Sequence, residues 1–206
     1  MTAEMTDHYY TSEPASEHHE QSIKTMLRGM EMSFTTDAGV FSRDYIDFGT
    51  RLLIETMEFP PGAKILDVGC GYGPIGIAAA KLDPNHRVTM IDVNQRAVEL
   101  AERNALMNDV RNVRVLISDL YEAVEERDYD AVLTNPPIRA GKQTVHAIFN
   151  GAREYLKEGG SLWVVIQKKQ GAPSAFKKLQ ELYEVVEEIT KDKGYRIFRA
   201  TKKASP

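Results

Sequence analysis

Lys64-Ile65-Leu66-Asp67-Val68-Gly69-Cys70-Gly71-Tyr72-Gly73-Pro74 is the stretch that decides how this chain folds. An apolar run ends in an acid and then three alternating glycines, which marks a strand that turns sharply into a helix. Gly69 and Gly71 permit backbone angles barred to other residues and let a ligand approach the main chain closely. Pro74 suits the first helical turn, where its missing N–H has no partner to lose. Downstream the chain alternates, with strands expected at 64–68, 86–92, 113–117, 129–134, 160–167, 183–190 and 194–201. Helices are expected near 75–82, 94–107, 143–156 and 173–182. Several strands are continuous apolar runs, as in a parallel sheet covered on both faces, and Lys191-Asp192-Lys193-Gly194 is short enough for a closing antiparallel hairpin. The pattern predicts an α/β, doubly wound, Rossmann-like sheet of seven mostly parallel strands.

Ahead of this core, residues 1–20 read as a flexible segment and residues 21–206 as a single domain. Within that domain, residues 21–60 hold a hairpin and a helix, and residues 61–206 hold the core. Ile23–Leu27 and Met30–Thr35 flank an Arg28-Gly29 turn, Asp37–Ser42 reads as a loop, and a helix is expected over Asp44–Met57 before Pro60-Pro61-Gly62 stops it. At 206 residues and 42% hydrophobic content, the chain can bury a substantial core. It has no apolar stretch of the roughly 18 residues needed to cross a membrane, and its polar start lacks the apolar region of a secretory signal. The single cysteine, Cys70, cannot form an internal disulfide, so a cytoplasmic location is expected. The net charge of −4 argues against gripping nucleic acid by bulk electrostatics. It is unevenly spread, with +7 on residues 139–206 and −11 on the rest. Such asymmetry either marks a face for an anionic partner or reflects solvated surface lysines.

Two constellations carry chemistry. Gly71–Gly76 satisfies G-x-G-x-x-G, and Asp92, 19 residues beyond Gly73, ends the next strand where a carboxylate can hold ribose hydroxyls. A dinucleotide site is therefore one reading. Asp67 disfavours it, because a negative charge beside a pyrophosphate is awkward. It suits a phosphate-free ligand with an ammonium or sulfonium group, as adenosylmethionine has, and Asp119 is placed to accept from an adenine amine. The plainer reading of these acids is helix capping, although Asn94 is a better cap than Asp92. The second constellation is Asn135-Pro136-Pro137-Ile138, which ends the run Ala131–Thr134 at the same sheet edge. The Asn135 side-chain oxygen and the Pro136 carbonyl can both accept from an NH₂ whose lone pair is delocalised, holding that nitrogen in line for attack. The prolines fix φ and remove competing donors. Neither a strong base nor a metal is required. His8, His18, His19, His86 and His146 show no ligand spacing and are expected to be solvated.

From Lys64 to Lys202 the chain resembles the class I adenosylmethionine-dependent methyltransferases, whose sheet order is 3-2-1-4-5-7-6 with the last-numbered strand antiparallel. The resemblance implies a cofactor site of Phe41, Asp67, Gly69, Gly71, Gly73, Asp92, Val93, Asp119, Leu120 and Asn135. It also implies a catalytic turn of Asn135, Pro136 and Pro137, followed by Ile138, Arg139 and Lys142 on the substrate side. Ile138 departs from the aromatic usual at its position, which weakens a reading as an adenine-N6 or protein-glutamine methyltransferase. Gly39–Asp44, Asp47–Leu53 and Asn135–Lys142 are similar to segments of the guanine-N2 methyltransferases of small-subunit (16S) ribosomal RNA. With these segments the likeness runs from Tyr9 onward. It implies methyl transfer to the N2 amine of a guanosine, with ribosomal RNA or the small subunit as partner, and it places Phe41 over the methionine end of the cofactor. Protein glutamine N5 and adenine N6 stay open as alternative targets, as does a module that binds without catalysis. Some members carry a second, degenerate domain before the catalytic one, for which this chain has no room. The oligomeric state is not fixed by the residues.

Overall fold

The structure, a computed structural model, describes Ser12 and residues 14–204. Most of the expected flexible segment 1–20 thus lies outside the described residues. The order is β1 (Gln21–Leu27), β2 (Met30–Thr36), α1 (Phe48–Thr56), β3 (Lys64–Val68), α2 (Pro74–Leu82), β4 (Arg87–Asp92) and α3 (Gln95–Met107). There follow β5 (Val113–Ile117), β6 (Tyr129–Thr134), α4 (Lys142–Tyr155), β7 (Leu156–Gln167), α5 (Ala172–Leu182), β8 (Val185–Asp192) and β9 (Tyr195–Thr201). β1 and β2 form an antiparallel hairpin, and the other seven strands form one sheet in the order β5-β4-β3-β6-β7-β9-β8. Only β9 runs against its neighbours, so counted from β3 this is the 3-2-1-4-5-7-6 order expected.

Alternation along the central strands feeds two cores. Ile65, Met90, Leu133, Trp163 and Val165 face α1, α2, α3 and the hairpin. Leu66, Val68, Ile91, Val132 and Val164 face α4 and α5. Helix α1 begins at Phe48, four residues later than the sequence pattern predicts. The reason is local: the Asp47 side chain accepts from Thr50 N at 3.2 Å and caps the helix there. Strand β7 starts at Leu156 rather than at 160, and its pairing with β6 shifts register between Tyr129 and Ala131.

The hairpin is tied to the core by two asparagines. Asn104 and Asn108 lie one turn apart on the same side of α3, and each amide imitates a strand edge toward β2. Asn104 accepts from Thr35 N (2.7 Å) and donates to Thr35 O (2.9 Å), while Asn108 does the same for Ser33 at 3.0 and 2.7 Å. Asn104 also donates to Tyr72 O at 2.8 Å, so one buried side chain joins the hairpin, α3 and the glycine loop. Above them, the Asp37 carboxylate accepts from the His19 and Ala38 backbone N–H groups, and Arg96 donates to the carbonyls of Ser16 and Ala38. These contacts lay residues 14–20 along α3.

Replacing Asn104 with Ala leaves three buried main-chain groups without partners. The expected loss is roughly 2–4 kcal/mol, given the cost of unsatisfied buried groups. Urea unfolding measures it, and a change near zero would mean that water replaces the amide.

Candidate active site

Strand register sets the geometry. Val68 is level with Ile91 on one side and with Thr134 on the other. The residues that follow, Gly69, Asp92 and Asn135, therefore stand in one row across three neighbouring strands, spaced about 4.8 Å apart per strand. Above this row opens a cleft of about 880 Å³ at the carboxyl edge of the sheet. Its walls include Gly69, Gly71, Asp92, Val93, Asp119 and Leu120 on one side and Asn135, Pro136, Pro137, Ile138 and Arg139 on the other, and Phe41 lines it as well. Residues predicted from distant parts of the chain thus meet around one space. Two non-glycine wall residues, Ser42 and Leu120, hold left-handed backbone angles (φ 55° and 49°), a conformation that costs roughly 1–2 kcal/mol and is concentrated at functional sites.

Three predicted residues do not reach the cleft wall. Gly73 is buried at the start of α2, where an added Cβ would stand 2.7 Å from Ile77 Cδ1 and 3.3 Å from Ala101 Cβ. Lys142 is exposed on the first turn of α4. Asp67 lies fully buried beneath the loop, and its Oδ2 accepts from Gly76 N at 2.9 Å. Because Gly73 offers no side chain to cap α2, this carboxylate does so from the neighbouring strand. His86, expected to be solvated, is buried instead, with Nδ1 at 2.9 Å from Ala79 O and its ring edge-on to Phe59.

The two acids under the loop are electrostatically poised. Burial pushes the Asp67 carboxyl up to about 7, against the Gly76 N–H and helped by the charge on Asp92. Its Oδ1 is the one buried side-chain polar atom left without a partner among the described residues. Burial likewise raises Asp92 to about 6, opposed by the backbone N–H groups of Asn94, Gly71 and Val93. Gly71 N donates to Asp92 Oδ2 at 2.8 Å and Asn94 N to Oδ1 at 2.9 Å, which locks the loop to the end of β4. Asn94, not Asp92, caps α3, accepting from Ala97 N.

The amide side of the cleft contains residues to which the sequence reading gave no role. Asn135 Nδ2 donates to Thr50 Oγ1 at 3.0 Å and to Asp47 Oδ2 at 3.3 Å, and Tyr195 OH donates to Asp47 Oδ1 at 3.4 Å. Asp47, Thr50 and Tyr195 also line the cleft. An Asp three residues before a Thr at a helix start signals a cap, and nothing in its spacing points to a partner 88 residues away.

Residues 31–199 match the methyltransferase small domain family. The chain belongs to that family. The uncharacterized protein YbxB of Bacillus subtilis is 50% identical over 200 residues, covering 96% of this chain and 100% of that protein. Ribosomal RNA small subunit methyltransferase C of Escherichia coli is 33% identical over 169 residues, covering 80% of this chain and 49% of the relative. Among solved structures, the T. thermophilus 16S rRNA N2 G1207 methyltransferase RsmC, in complex with AdoMet and guanosine, superposes with a TM-score of 0.81 at 24% identity. That match covers 92% of this chain and 52% of RsmC. The chain therefore spans about half the length of these RNA-modifying relatives. It has the class I methyltransferase fold, and that neighbour holds AdoMet. The site fits that molecule: Asp92 puts a carboxyl raised by burial on the cleft wall, and an added Cβ at Gly69 or Gly71 would meet nothing within 4 Å, which leaves the loop open to a ligand.

A pH dependence follows. Asp92 and Asp67 titrate near about 6 and about 7 in the free protein. A ligand that donates hydrogen bonds or brings positive charge favours their ionised forms. Binding therefore releases protons, and affinity should fall as pH drops from about 7 to about 5. Calorimetry across that range tests it, and a flat profile would separate these acids from binding. Asp92→Ala should weaken adenosylmethionine binding by about 1–3 kcal/mol and remove part of the slope.

Proposed function

We propose that this methyltransferase acts on the exocyclic N2 amine of a guanosine in ribosomal RNA of the small subunit. The observation carrying the proposal is the Asn135-Pro136-Pro137 turn, which opens into the same cleft as the glycine loop and Asp92. With Nδ2 engaged by Thr50 and Asp47, the Asn135 oxygen is left for a donor in the cleft. That oxygen and the Pro136 carbonyl accept from the two hydrogens of the amine, drawing its lone pair out of conjugation and toward the methyl group. Bound adenosylmethionine supplies an electrophilic methyl on its sulfonium. Once methylated, that nitrogen would be acidic and would release its proton to water, so no dedicated base is needed. The choice of small-subunit RNA is supported by the likeness to methyltransferase C of Escherichia coli, and that of guanine N2 by the likeness to the T. thermophilus 16S rRNA N2 G1207 methyltransferase.

Substrate handling is read from the rim. Ile138 is aliphatic, and the rings that flank the opening belong to Phe41 and Tyr45, which are 39% and 65% exposed. In this reading Tyr45 stacks on the target base. Extruding a base from RNA costs a few kcal/mol, and stacking on an aromatic returns roughly 1–3 kcal/mol. Arg139 on the wall, with exposed Lys142, Lys168 and Lys169, supplies phosphate contacts.

The test supplies radiolabelled adenosylmethionine with small ribosomal subunits or their deproteinised RNA, then digests the RNA to nucleosides. Label in N2-methylguanosine is the expected result. Label in protein, or in N6-methyladenosine, would redirect the assignment to glutamine or adenine. Asn135→Ala should abolish turnover with little change in cofactor affinity, and Tyr45→Ala should raise KM for RNA roughly tenfold while cofactor affinity stays level.

A further inference from the structure

A side-chain amide can sit in two orientations related by a half-turn, and at residue 135 they have opposite chemistry. One presents oxygen to the cleft and accepts from an amine. The other presents NH₂, which has nothing to offer an amine. Something must select the first. Thr50 cannot do it alone, because a hydroxyl donates or accepts equally well. A carboxylate has no hydrogen to give, so the group facing Asp47 Oδ2 must be the amide nitrogen.

Asp47 is itself held from two directions. Thr50 N donates to its Oδ2 from the first turn of α1. Tyr195 OH donates to its Oδ1 from the start of β9. The Tyr195 ring lies against α1 at Gly49, where an added Cβ would stand 2.7 Å from two ring carbons, and it stacks obliquely on Phe48 with centroids 5.5 Å apart. The N-terminal helix and a C-terminal strand thus close on one carboxylate. That carboxylate closes on the amide of the Asn-Pro-Pro turn.

We propose that Asp47 is a positioning residue that fixes the Asn135 amide with its oxygen toward the cleft, and that Tyr195 holds Asp47 in place. This rests on the reading of Asn135 as the acceptor for the substrate amine. Asp47 need not touch the substrate to exert this effect.

The test keeps the helix cap and changes what faces the amide. Asp47→Ser caps a helix as well as Asp does, but its hydroxyl donates or accepts equally well and no longer dictates which end of the Asn135 amide it meets. The selection is then lost, and kcat on small ribosomal subunits should fall about 10- to 100-fold, with adenosylmethionine affinity and Tm close to wild type. Asp47→Asn is the conservative variant: Thr50 N holds its amide oxygen at the Oδ2 position, where that oxygen still accepts from Asn135, so kcat should stay within about tenfold of wild type. Independently of turnover, the Asn135 side-chain NH₂ pair should show slowed solvent exchange by NMR in the wild type and faster exchange in D47S. If D47S lowers Tm, Tyr195→Phe, which removes only the hydroxyl, should reduce kcat in the same direction.

Wild-type kcat in D47S, or a D47N variant as impaired as D47S, would overturn the orienting role. The outcome for Asn135→Ala separates the two levels. If that variant keeps turnover, the acceptor reading of Asn135 falls. If it is inactive while D47S is unimpaired, only the role of Asp47 falls.

Discussion

Strand β3 is bonded on one side to β4 and on the other to β6, and all three run in the same direction. The chain leaves β3 toward β4 through α2 and comes back to its other side only after α3 and β5, so the loops above β3 and β6 part and a crevice opens between them. Both faces of these strands are covered, which leaves their main-chain groups no partners but one another. The register is therefore rigid, and it alone brings Gly69, Asp92 and Asn135 to one level. A slip of one residue in either pairing would turn one of these groups toward a helix-covered face.

The two walls of the cleft differ in electrostatic character as well as in chain origin. Under the glycine loop, buried carboxyls are raised toward neutrality by their own desolvation, a cost relieved by positive charge placed above them. Across the cleft, the residues beyond Asn135 carry most of the chain's excess positive charge, with +7 on residues 139–206. Of that segment's charged side chains, Arg139 stands on the cleft wall itself. Net charge, at −4, conceals this arrangement because the two halves nearly cancel.

Periodicity and punctuation reveal most of the fold. β3, β5 and β6 begin and end where the sequence pattern places them: β3 and β6 are central strands marked by buried apolar runs, and β5, on the sheet edge with no buried residue, is an apolar run broken only by Arg114. The start of α1 is hidden from the sequence pattern because its apolar spacing continues upstream of Asp47, whereas the cap is a single side-chain hydrogen bond. The residues around the cleft divide in the same way. Those in the two loop motifs announce themselves by composition. Asp67 has the residue type of a ligand contact but the position of a remote helix cap. Asn104 and Asn108, and the trio Asp47, Thr50 and Tyr195, act across long separations on partners no local pattern specifies.

The antiparallel strand β9 has a kinetic consequence. It lies between β7 and β8 although it follows both in sequence, so β8 has no edge to pair with until β9 is in place. Because β9 also begins with Tyr195, the same late docking that seals the sheet delivers the hydroxyl that braces Asp47. Contacts of such long sequence separation are entropically expensive to close and form late in folding. On a chain emerging from the ribosome in order, the sheet edge and the amide-holding network are therefore completed together, after the glycine loop and the Asn-Pro-Pro turn have already been made.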